Sequence, residues 1–262
     1  MKVGVFQFNP LFGETENNLE RITEVLMNTD ADLVVLPELC VSGYQFVNKT
    51  EARSLCEAIP EGKTVRRFKE ICREKTMFLV AGMGERDGDV CYNTSVLVGP
   101  ERLIAVYRKI HLFAEEKKWF RPGYHPFQVN HIGTAGIGMM ICYDWIYPES
   151  ARSLAMAGAD IICHPSNLVL PYCPDAMITR SIENRVFTVT ANRTGTEARG
   201  GKTPLTFTGQ SQITSPAGER LVRFGPEEEG IKVTAIDIQM ARDKQITPMN
   251  HLWEDRKPEM YS

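Results

Sequence analysis

The stretch MMICYDWIYPES, Met139 to Ser150, decides how this chain is read. An apolar run leads into Cys142, and the composition then switches to Tyr143, Asp144 and Trp145 before Pro148-Glu149-Ser150. Such a switch predicts a buried strand ending in a thiol, then a turn, then a helix with proline in its first turn. In an open α/β sheet, the carboxyl ends of strands are where ligands bind. A thiol there meets substrate, whereas a thiol inside the strand is one more small apolar side chain.

Outward from that stretch, strand and helix patterns alternate. In the second half, strand 136–143 is followed by helix 148–157, strand 159–167, helix 175–184 and strand 185–192. Short strands follow at 210–214, 219–224 and 231–237. The first half has the same order: strand 2–8, helix 14–28, strand 32–39, helix 63–75 and strand 77–83. Strands 91–99 and 102–109 then flank the turn at Gly99-Pro100. LVVLPEL in the first half sits where DIICHPSNL sits in the second. Two similar halves, each with a sheet it cannot bury alone, predict an α/β fold of four layers, an α-β-β-α sandwich. Residues 1–262 are read as one domain, with a tail from about 245 to 262 that packs on its own domain or on a neighbouring subunit.

Bulk properties narrow the function. A net charge of −3 and no basic run argue against nucleic acid as a partner. No apolar stretch is long enough to span a bilayer, and the opening MKVGVFQFN reads as a strand and not as a secretory leader. Seven cysteines without a CxxC pair point to free thiols and a cytoplasmic location. No metal or other cofactor is expected, because the five histidines include no HxxxH pair, and Cys163 and His164 project to opposite faces of a strand.

Three polar groups close apolar strands: Glu38 after LVVLP, Lys109 after LIAVYR, and Cys142. Taken singly, Glu38 reads as a turn residue and Lys109 as surface charge. Together, an acid, an ammonium and a thiol are what acyl transfer to sulfur needs. A thiol of pKa ~8.5 requires a base or a nearby cation to attack at neutral pH. Glu38 can take the thiol proton and return it to the leaving nitrogen. Lys109 and the backbone N–H of Tyr143 can stabilise the oxyanion.

PELCVSGY around Glu38, YRKIHLF around Lys109 and ICYDWIYPESAR around Cys142 resemble the three signatures of the nitrilase superfamily, the carbon–nitrogen hydrolases. Their order fits that family, with Lys109 71 residues after Glu38, and the likeness extends to HPSNL and SIENRVF. The resemblance implies an α-β-β-α sandwich and hydrolysis of amides, ureido groups or nitriles without a metal. It also implies a homodimer or larger homo-oligomer, and a second glutamate between Lys and Cys. EKKWFRPG assigns that role to Glu116, one residue after Glu115. Tyr44, Trp119, Tyr143 and Asn167 are further candidates for lining the substrate pocket, each also readable as plain packing. His111 is read as a support residue. A small amide is the expected substrate, ahead of a nitrile or an N-carbamoyl amine; a non-catalytic binding protein on the same fold is the alternative of a different class.

Overall fold

Burial alternates along the first strands, and that alternation builds the layers. In β1 (Lys2–Gln7) and β2 (Leu33–Val35), Val3, Val5, Leu33 and Val35 join a core between two sheets. Phe6 and Val34 face the other way, onto helices. A period of two is what a strand buried on both faces imposes. Helix α1 (Thr15–Met27) buries Leu19, Ile22 and Leu26 against that outer face. The short α2 (Lys49–Ser54) precedes α3 (Lys63–Lys75), which adds Val65, Phe68 and Ile71. The computed structural model describes residues 1–261.

The first half continues through β3 (Phe78–Asp87), β4 (Val90–Val98) and β5 (Leu103–Arg108), an antiparallel meander. After α4 (Glu116–Trp119) come β6 (Val129–Ile132) and β7 (Ala135–Met139), a 3-10 turn over Cys142–Ile146, and α5 (Pro148–Met156). Next are β8 (Ile161–Pro165), α6 (Cys173–Asn184) and β9 (Phe187–Ala191). A ribbon of β10 (Thr196–Glu197) and β11 (Leu205–Thr206) precedes β12 (Gln212–Thr214), β13 (Arg220–Arg223) and β14 (Gly230–Ala235). The tail holds α7 (Gln239–Arg242), β15 (Gln245–Thr247) and β16 (Asn250–His251).

The two six-stranded sheets run β14-β1-β2-β3-β4-β5 and β6-β7-β8-β9-β12-β13. In both, the first pair is antiparallel, the next two are parallel and the last two antiparallel. The expected duplication is therefore present strand for strand, in a four-layer α/β sandwich.

Two features depart from the sequence reading. β14, expected beside its chain neighbours in the second half, crosses to the first sheet and pairs with β1, Lys2 opposite Ala235. β6, where the sequence reading placed no strand, supplies the matching edge of the second sheet. The strands are also shorter than expected, so Glu38, Lys109 and Cys142 lie just past the ends of β2, β5 and β7. In the tail, the half-buried Trp253 packs on the large core cluster, with the Arg152 guanidinium of α5 5.1 Å from its ring centre.

Candidate active site

Adjacent strands of the first sheet bring three polar groups together at one end. The chain turns after β2 through Pro37-Glu38 and Leu39, whose φ of 48° is left-handed. Gly82 of β3 lies directly under that turn; a Cβ there would stand 2.4 Å from the Glu38 Cα. Only glycine admits so close an approach. Asn93 of β4 donates from Nδ2 to Glu38 Oε1 at 2.6 Å. Lys109, whose N–H bonds the Asn93 carbonyl at 2.8 Å, donates from Nζ to the same Glu38 oxygen at 2.7 Å.

Lys109 Nζ also meets Glu116 Oε1 at 2.8 Å, and the Tyr44 hydroxyl donates to that oxygen at 2.8 Å. Glu116 rather than Glu115 occupies this place: Glu115 points outward to Lys118 and Lys202. Glu38 and Lys109 are fully buried, and Glu116 nearly so. Buried charges persist only when paired, and here one cation is shared by two carboxylates. Burial alone would lower the Lys109 pKa, but the carboxylates of Glu116 and Glu38 outweigh it and hold the ammonium above its usual range. Lys109 is therefore a fixed positive charge and not a base. Burial pushes Glu116 up to about 7, against the opposing pull of Lys109.

The second sheet brings the thiol. Cys142 opens the 3-10 turn after β7 with a φ of 42°. Asp144 locks that turn: it accepts from the Ile141 N–H at 2.8 Å and the Tyr107 hydroxyl at 2.8 Å, and lies 2.7 Å from His111 Nδ1. His111 thus supports the turn. Beneath it, His164 Nε2 lies 2.8 Å from the Cys142 carbonyl oxygen. Burial drives the His164 imidazole down to about 4, so the ring is neutral and Nε2 donates to that carbonyl.

The Cys142 thiol is held well above the usual range, first by burial and then by the Glu38 charge, with Lys109 opposing. The backbone of Asn167 works in the same direction as Lys109. Cys142, Glu38, Lys109 and Glu116 thus act on one another across the junction of the two sheets.

Around them is an apolar vestibule of about 290 Å³, lined by Tyr44, Phe46, Phe113, Glu116 and Trp119 among others. Phe113 and Val169 connect it to a small hollow at Cys142, Tyr143 and Asn167. Lys202 Nζ lies 4.9 Å from the Trp119 ring centre at the rim. Among the described residues, Glu38 Oε2 and both side-chain polar atoms of Asn167 are buried without a partner. Buried polar atoms are nearly always bonded, so these atoms have hydrogen-bonding capacity to spare.

Asn93, Asp144 and His164 were not singled out from the sequence. A signal existed for two of them: Asn93-Thr94-Ser95 interrupts an otherwise apolar strand, and His164 follows Ile161-Ile162-Cys163.

Residues 2–245 match the family model described as carbon-nitrogen hydrolase. Over its full length the chain is 44% identical to a protein named nitrilase from Pyrococcus abyssi and covers 99% of it. Over 87% of its length it is 34% identical to an (R)-stereoselective amidase of a Pseudomonas species, covering 82% of that protein. A solved variant of the amidase from Nesterenkonia sp. AN1, with acrylamide added to its active-site cysteine, aligns at a TM-score of 0.81 and 26% identity. That alignment spans 94% of this chain and 96% of the other.

Proposed function

Because this chain belongs to the carbon–nitrogen hydrolase family, we propose that it hydrolyses a small carboxamide through a thioester on Cys142 and releases ammonia. One observation carries the reading: a buried ammonium, Lys109, is held between Glu38 and Glu116, while the second oxygen of Glu38 is left unpartnered near a buried thiol.

The thiol rests protonated, so attack requires a base at the moment of reaction. Glu38 Oε2 takes the proton as Sγ bonds to the carbonyl carbon. The developing oxyanion falls to Lys109 Nζ and the Tyr143 N–H; losing one such donor typically costs about 10²–10³ in rate. The intermediate collapses as Glu38 returns the proton to nitrogen, and ammonia leaves. Water then attacks the thioester, Glu38 takes its proton, and the acid departs as the proton returns to Sγ. The three groups that handle charge are thereby used in both halves of the reaction.

Glu116 and Tyr44 hold Lys109 in place, and Asn167 offers a donor and an acceptor to the substrate. A vestibule of about 290 Å³, at the low end of ligand-pocket sizes, selects small substrates. The aromatic walls of Phe46, Phe113 and Trp119 favour an apolar acyl group. A nitrile is the second reading, favoured by the name of the Pyrococcus relative; it would react through a thioimidate at the same sulfur.

The test is an ammonia-release screen of short amides, ureido acids, carbamoyl amines and nitriles, with wild type and Cys142→Ala side by side. Amides are expected to lead, and the variant to release no ammonia while its circular dichroism is unchanged. Turnover persisting in that variant sinks the assignment.

A further inference from the structure

Away from Cys142, the chain carries a second thiol arrangement. Cys56, which follows α2, lies alongside β3: the Glu57 N–H bonds the Gly84 carbonyl at 3.0 Å, and the Arg86 N–H bonds the Glu57 carbonyl at 2.7 Å. That pairing sets the Cys56 sulfur over Gly84, where an added Cβ would stand only 2.7 Å from it. Cys91 of β4 pairs with Arg86 of β3, two residues along from Gly84 and on the same face. The two thiols therefore lie side by side in one buried cluster. Gly84 makes the meeting possible, because any side chain would occupy the space of the Cys56 sulfur.

We propose that Cys56 and Cys91 form a peroxide-sensitive dithiol, whose closure to a disulfide disturbs the support of the Glu38–Lys109–Glu116 cluster and slows turnover. Cys91 lines an open hollow of about 400 Å³ together with Lys49, Arg53, Lys117, Lys118 and Arg121, so a small oxidant reaches it. The neighbouring Cys56 thiol, with help from Arg53 and Arg86, draws Cys91 below its usual range, while burial holds Cys40, Cys72, Cys142, Cys163 and Cys173 above theirs. Thiolate character and access together select the thiol that oxidises first.

The chemistry balances with a hydroperoxide as the named oxidant. The Cys91 thiolate attacks a peroxide oxygen, the O–O bond breaks, and the departing hydroxide or alkoxide is protonated by solvent. The Cys56 thiol then attacks the sulfenic sulfur; the S–S bond forms, and the sulfenic hydroxyl leaves as water with the Cys56 proton. Thiol reductants reverse the closure by exchange.

Three contacts link the pair to the catalytic cluster. Asn93, which holds Glu38, lies two residues beyond Cys91 on the same face of β4. The Cys91 carbonyl accepts from the Arg121 N–H at 2.9 Å. The preceding Phe120 packs with Cys56 and Cys91, and its N–H bonds the Glu116 carbonyl at 2.8 Å. Pulling the sulfurs to bonding distance moves β4 and the chain after α4 together.

The activity arm of the test rests on the proposed hydrolase function; the mapping arm does not. After dilute hydrogen peroxide, non-reducing peptide mapping of the full chain is expected to show a Cys56–Cys91 cross-link, with loss of two hydrogen masses. Amide turnover is expected to fall several-fold and to recover with dithiothreitol. Cys56→Ser is expected to keep its basal turnover and lose the reversible phase; Cys91→Ser serves as the second variant, removing the first thiolate. Absence of the cross-link while other thiols oxidise overturns the proposal, as does a formed cross-link that leaves turnover unchanged.

Discussion

Cys142 sits in a left-handed backbone, φ 42°, that a residue with a Cβ rarely adopts, and Leu39 and Ala114 beside the other charged groups do the same. Each such residue costs of order 1–3 kcal/mol and persists only where its surroundings hold it. Here the holders are named: Asp144 and His164 at Cys142, and the Gly82 backbone under Glu38. The Glu116 carboxyl supplies a prediction at this scale. Its pKa is raised from 4.5 to about 7, so the native state holds a proton that the unfolded chain releases between those values. Stability relative to Glu116→Gln therefore falls as pH rises from about 4.5 to about 7, with a slope of at most about 1.4 kcal/mol per unit. Urea titrations of both proteins across that range measure it, and parallel curves would contradict the burial argument. Residue identity was legible in the sequence where a charge ended an apolar run, as at Glu38 and Lys109. Asn93 was not, because an amide inside a strand becomes informative only when its partner across the sheet is known.

At the scale of elements, the ends of β2, β5 and β7 are the positioning devices. They converge because the parallel strands point their carboxyl ends to one side of each sheet, and the sheets face each other with those sides together. Gly82 is where this arrangement has least tolerance. Gly82→Ala is expected to push the Pro37–Leu39 turn off β3, since the new methyl meets backbone and not a flexible side chain. Overpacking of this kind costs about 1–3 kcal/mol. Displacing a reacting group by about 1 Å lowers kcat/KM by about 10²-fold. A melting curve read alongside amide turnover separates the two effects; turnover at the wild-type level would show that the turn has room. Helix α5 begins at Pro148, as the sequence predicts, because proline's missing N–H has no partner in a first turn anyway.

On the scale of the whole molecule, β14 pairs with β1, so the first sheet is completed by a strand that follows all of the second sheet in the chain. The outer face then leaves Met156 of α5, Ile182 of α6, and Met249 and Met260 of the tail exposed. We propose that these exposed apolar groups take part in an interface with a second copy of the chain. Sedimentation equilibrium at micromolar concentration is expected to show an assembly larger than one protomer, weakened by Met156→Glu with Ile182→Glu. A protomer mass alone for the wild type would refute it. Among the described residues no helix is long and apolar enough to cross a membrane.

What this sequence determined unaided was whatever local spacing encodes: the periods of strand and helix, the duplicated order, and the acid, ammonium and thiol closing three apolar runs. Tertiary structure alone decided that β14 belongs to the first sheet, that Asn93 holds Glu38, and that Cys56 lies beside Cys91. The reason is physical. Periodicity is a property of neighbours in the chain, whereas pairing, burial and the shared field of charges arise between groups such as Lys2 and Ala235, which only folding brings side by side.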